Sequence, residues 1–187
     1  MTAQVDPAQV DPAQVDPVTV DVLIDGCAVG QVEGVTVAQY QTWLQTWLNA
    51  LNPRLSPINA YEVGLRLTND SDIQQLNREY RQQAQPTDVL SFAALETDVP
   101  GAQILYESEP LPLGDIIISV ETAARQSLER HHTLVQEVAW LGAHGLLHLL
   151  GWDHPDEASL RKMLEKQTHL LSLVDISPVG ILSSADI

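Results

Sequence analysis

The chain reads as an α+β domain, a small mixed β-sheet packed with helices. Two observations lead there. Short β-branched or alternating runs interleave with longer stretches of helical period, and no regular strand–helix–strand repeat links them. The chain has 187 residues, 44% of them apolar, enough for one domain with a sizeable core.

Val18 to Ile24 alternates and is rich in β-branched residues, the pattern of a strand. Val37 to Leu51 carries Trp43, Leu44, Trp47, Leu48 and Leu51 at helical spacing, and Pro53 closes that helix. Tyr61 to Leu67 reads as a second strand. Asp70 or Ser71 is expected to cap a short helix that presents Ile73 and Leu76 and runs to about Tyr80. Val89 to Phe92 is a short strand after the Pro86-Thr87 turn. Residues 96–113 hold three prolines and four acids and read as an irregular loop. Asp115 to Val120 is a buried strand, followed by a helix over 121–130. Two more helices are expected over 133–150 and 156–173, and Pro178 lies in the tail beyond them.

Three perfect Ala-Gln-Val-Asp-Pro copies run from Ala3 to Pro17. Their prolines remove backbone donors, and so short a repeat has no apolar face to offset its ordering entropy. The expected organisation is a disordered acidic tail over 1–17, one folded domain over 18–175 and a short tail over 176–187.

Nine Lys and Arg stand against twenty-five Asp and Glu, a formal charge of −16. That excess excludes a generic electrostatic nucleic-acid binder, whose affinity comes from neutralising many phosphates, and argues against an anionic-membrane binder. Cys27 is the single cysteine and fits a reducing compartment. No basic-then-apolar secretory signal is visible, and no apolar run approaches the ~20 residues of a membrane helix. The expected location is the cytoplasm.

The informative stretch is His144-Gly-Leu-Leu-His148-Leu-Leu-Gly151-Trp-Asp-His154. Residues four apart share a helix face, so His144 and His148 can present two imidazoles to one ion. Gly151 tolerates the positive φ with which a chain leaves a helix, and the turn can return His154 as a third nitrogen. Three imidazoles with one position left open is the make-up of a catalytic zinc site. The expectation is one Zn2+ per chain on His144, His148 and His154. Asp153 reads either as a hydrogen-bond partner or general base at that site, or as a simple turn residue.

The spacing invites comparison with the metzincin pattern H-E-x-x-H-x-x-G-x-x-H, in which the Glu is the general base of peptide hydrolysis. Here that position is Gly145, which has no side chain to do acid–base work. The one methionine beyond the first residue, Met163, lies on an expected helix rather than in a turn.

With Leu76-Asn-Arg-Glu-Tyr-Arg81, Pro86-Thr-Asp-Val-Leu-Ser-Phe92, Leu113-Gly-Asp-Ile-Ile-Ile-Ser119, Glu121-Thr-Ala123 and Met163, the histidine stretch resembles the YbeY family, bacterial metal-dependent endoribonucleases and rRNA maturation factors. The resemblance spans about residues 18–173. Trp152 stands where the family commonly has Tyr, and Ala93 where Pro is usual. The resemblance implies that the three histidines bind zinc, that Arg81 is a functional residue at the cleft, and that Ser91 lies beside the metal. Arg81 suits a phosphate and its transition-state charge through a planar fork of donors. On the residues alone it could equally be a cation at a helix C-terminus. Thr87, Asp88 and Ser91 could also bond only local backbone.

Arg78, Arg125 and Arg130 read as solvated helix charges or a local basic rim. His131, His132 and His169 lack ligand spacing and are expected at the surface. The implied function is single-strand endonucleolytic processing of rRNA, at the 3′ end of the small-subunit rRNA, and ribosome quality control. A non-enzymatic ribosome-assembly factor with a structural zinc is the alternative, and a zincin-type protease a weaker one. At −16, delivery to RNA by ribosomal or ribosome-assembly proteins is expected, with no membrane partner.

Overall fold

A computed structural model describes residues 19–25, 32, 35–94 and 109–177. The repeats over 3–17, most of the expected 96–113 loop and most of the 176–187 tail lie outside the described residues. Among the described residues, four strands, β1 (Thr19–Asp25), β2 (Ala60–Thr68), β3 (Val89–Ala93) and β4 (Leu111–Ser119), form one sheet of order β1-β2-β4-β3. β1, β2 and β4 run parallel, whereas β3 is an antiparallel edge strand, pairing Ser91 with Ile116. The described helices are α1 (Val37–Leu51), α2 (Asp70–Arg81), α3 (Val120–Glu129), α4 (Leu134–Leu149) and α5 (Glu157–Ser172). The α+β class and the mixed sheet are as the sequence predicts.

Alternation along the strands separates the two faces of the sheet. Val63, Leu65, Leu67, Ile116 and Ile118 join the main core with α1, α4 and α5. Ile117 and Leu90 point the other way and meet Ile73 of α2 in a small second cluster. In α1 the helical spacing stacks Trp43 on Trp47 at 6.1 Å, and Trp47 Nε1 donates to Leu170 O at 2.8 Å, tying α1 to α5. That bond satisfies the one polar atom of a side chain with no exposed surface. Buried α4 carries His144 and His148; it packs on β3 and β4 with α3 and α5 at its sides.

Several expectations change. The cap of α2 is Asn69, whose side chain accepts from Asp72 N, because Asp70 and Ser71 already lie within the first turn. The end of the expected loop is strand: Leu111 to Leu113 open β4. Pro112 is tolerated there because, among the described residues, β3 pairs with β4 only from Gly114 onward, and a bulge opposite Glu62/Val63 relaxes the register. His131 and His169 are exposed, but the His132 side chain is only 6% exposed, packed beside Glu137 in the α3–α4 corner. Nor are Arg125 and Arg130 freely solvated, since they pair with Asp70 and Glu137.

Candidate metal centre

α4 begins with a capping box at Thr133 and Gln136 and ends at Gly151. Gly151 has φ of 82°, its N–H donates to His148 O at 2.9 Å, and Trp152 N–H donates to Leu147 O at 3.0 Å. These two bonds form a Schellman closure, which reverses the chain directly after the second histidine. The reversal carries His154 back to the first two. One nitrogen from each of His144, His148 and His154 lies within 4.8 Å of the others, and His144 Nε2 and His148 Nε2 are 3.0 Å apart. Two nitrogens on a tetrahedral zinc at ~2.05 Å would be about 3.3 Å apart, so the donor set fits such an ion.

The protonation states suit ligands. Burial, aided by His148, pushes the His144 pKa down to about 4, against the opposing hydrogen bond that His144 donates to Gln167. Burial and then His154 lower His148 as well; Arg81 adds to this from across the site, while Asp153 opposes it. Neutral imidazoles with free lone pairs are what a metal requires.

Around the triad lies a cavity of about 470 Å³. Arg81, Ser91 and Asp153 line it together with all three histidines. Arg81 arrives as the last residue of α2, where Gln82 takes a left-handed φ of 60° and Gln83 N–H returns to Asn77 O. The following segment folds back along α2, held by Asn77 Nδ2 to Gln85 O at 2.8 Å, and enters β3. Arg81 Nη2 then sits 3.5 Å from Ser91 O, at the long limit of a hydrogen bond, and the residue is otherwise exposed. Asp153 Oδ1 accepts from His154 N at 2.8 Å, which steadies the turn that delivers the third ligand.

The sequence model described as "Endoribonuclease YbeY" matches residues 29–175. Curated proteins of that same name are similar over most of their length. One from Nostoc sp. is 54% identical over 143 residues, covering 76% of this chain and 77% of the relative. Another from Picosynechococcus sp. is 50% identical over 157 residues, covering 84% and 95%. The chain belongs to the YbeY endoribonuclease family. A solution structure from Thermotoga maritima shares the fold at a TM-score of 0.52, with 24% identity over 82% of this chain and 89% of that one.

Within a YbeY frame the metzincin comparison gains a steric answer. A Cβ at Gly145 would lie 2.7 Å from Ile116 Cγ2 and 3.0 Å from Ser91 Oγ. The position points into the sheet, so α4 has no room there for the glutamate of a protease.

One site residue escapes the sequence reading. Gln167 of α5 has no exposed surface and meets His144 Nδ1 through Oε1 at 3.3 Å. Its only trace in the sequence is an amide within the otherwise apolar stripe Met163, Leu170 and Leu171.

Proposed function

We propose that this chain is a metal-dependent endoribonuclease that cuts single-stranded rRNA during small-subunit 3′-end maturation, with the unit over 18–175 carrying the activity. The supporting observation is the convergence of a three-imidazole donor set and an unpaired-carboxylate Arg81 guanidinium on one cavity. Among the described residues Arg81 has no ion pair. His144, His148 and His154 would hold one Zn2+. A divalent ion in that position supplies Lewis-acid polarisation to a phosphoryl oxygen and acidity to water.

The protein's own groups do the rest. Arg81 offers parallel N–H donors and a permanent charge to the phosphate oxygens, whose charge grows in the transition state. Ser91 adds a hydroxyl on the β3 wall, where its carbonyl meets Arg81. Asp153 accepts a proton or orders the ligand turn. Buried α4 keeps the His144 and His148 imidazoles neutral and fixed. Net charge of −16 supplies no general attraction to RNA, so binding to free RNA is weak, and a ribosomal or assembly protein brings the enzyme to its substrate. No helix among the described residues is long and apolar enough to cross a membrane.

Cleavage of precursor small-subunit rRNA by the wild-type chain, Arg81→Ala and His148→Ala tests this. The expected result is cutting by the wild type only, with all three folded. Equal cutting by all three assigns the activity to a contaminant and moves the non-enzymatic assembly factor ahead.

A further inference from the structure

Tyr80 is the only exposed ring among the described Trp, Tyr and Phe residues, at 60% exposure. It precedes Arg81 in the last turn of α2. Its ring meets Phe92 edge-on, with centroids 5.0 Å apart and planes at 69°. Phe92 stands in β3 between Ser91 and Ala93, which line the metal cavity, and alternation turns its ring to the other face of the sheet, with Leu90 against α2. The chain therefore anchors a largely open π-surface on the α2 side of the β3 edge, one residue before the Arg81 that reaches across that edge to Ser91 O, and holds it by an aromatic contact.

We propose that Tyr80 is a stacking platform for one base of the RNA strand whose phosphate Arg81 holds. This rests on the nuclease reading above. A chain at −16 cannot bind RNA through many phosphate contacts, and stacking provides affinity that needs no added cation. Stacking is also tolerant of base identity, because every base has a π-face. It requires an unstacked base, so Tyr80 selects single strands: in a duplex the faces are already covered by neighbouring pairs.

The test uses the zinc-loaded full chain with a short single-stranded RNA carrying 2-aminopurine at each position in turn, and the same RNA as a duplex. In the wild type, emission is quenched most at one position. Tyr80→Leu abolishes that quenching and weakens single-strand binding about fivefold or more, with the loss in cleavage falling on KM. Tyr80→Trp restores both, and duplex affinity responds to neither variant. Circular dichroism checks that the variants fold, and the wild-type quenching pattern stands whether or not they do. Uniform emission, or an unchanged KM in folded Tyr80→Leu while the wild type still cuts, overturns the platform and leaves the nuclease intact. Tyr80-dependent binding without any cutting removes the nuclease reading and keeps the platform. No single-strand binding by the wild type overturns the platform as well.

Discussion

Gln167 Oε1 lies 3.3 Å from His144 Nδ1, and the same amide donates from Nε2 to Trp140 O at 2.9 Å. The carbonyl of Trp140 can only accept, so it fixes which end of the Gln167 amide faces the histidine. Oε1 can only accept as well, so His144 carries its proton on Nδ1 and turns a free Nε2 lone pair toward His148 and His154. A residue on α5 thus sets the tautomer of a ligand on α4.

Gln167→Leu removes that acceptor while keeping the volume and the apolar surroundings. Zinc affinity is expected to fall about 10- to 100-fold, measured by competition with a chromophoric chelator. Gln167→Glu keeps an acceptor and should retain most of the affinity. Equal affinity in Gln167→Leu and the wild type would show that the contact does not orient the ligand.

What the sequence discloses follows the range of each interaction. His144, His148, Gly151 and His154 lie within three helical turns, so local geometry alone determines how they meet. Arg81 and Ser91 are ten residues apart and were legible only through whole motifs, since their approach depends on the fold-back of 82–88. Gln167 reaches His144 across 23 residues and two helices, which no periodicity encodes. His132 defeats sequence reading for a related reason. It is buried in the α3–α4 corner, packed against Glu137 five residues on.

The close approach of α4 to the sheet at Gly145 predicts a cost for any side chain there. Ile116 is β-branched and fully buried, so its Cγ2 cannot swing away from a new Cβ at 2.7 Å. Overpacking costs about 1–3 kcal/mol, against about 1 kcal/mol gained in helix propensity. Gly145→Ala should therefore be less stable than the wild type in urea unfolding, and Gly145→Glu much less so, with no peptidase activity gained. A stabilised Gly145→Ala would refute the tight packing.

Asp70 joins the first turn of α2 to the start of α3. Its Oδ1 accepts from Ser119 Oγ at 2.6 Å and Thr122 Oγ1 at 2.7 Å, and its Oδ2 from Arg125 Nη1 at 2.7 Å. Burial alone would raise this carboxyl, but the three donors outweigh it and hold the pKa below the usual range. A carboxyl depressed on folding stabilises the protein above its unfolded pKa of about 4 and loses that contribution as pH falls through the folded value. Asp70→Asn is expected to cost about 1–2 kcal/mol at neutral pH. The difference in urea midpoint should close in strong acid, where both proteins carry an uncharged side chain. A gap that does not change with pH would assign the loss to shape instead of charge.

Glu137 has no exposed side-chain surface, yet it sits on α4 seven residues before His144. Burial raises its pKa, while Arg130 Nη1 at 2.9 Å and His132 Nε2, packed against the other oxygen, oppose the rise. Removing one cation from such a group leaves a buried charge with too little compensation, which costs more than the pair contributes. Arg130→Met should therefore destabilise the protein by about 1–3 kcal/mol in denaturant at neutral pH. Because the folded pKa is raised, the deficit is full where Glu137 is ionised and shrinks as pH falls through that raised value. Adding Glu137→Gln to Arg130→Met removes the stranded charge and should recover at least part of the loss. If instead the two substitutions simply add, the guanidinium and the carboxylate are not energetically coupled, and Glu137 is held by His132 and packing alone.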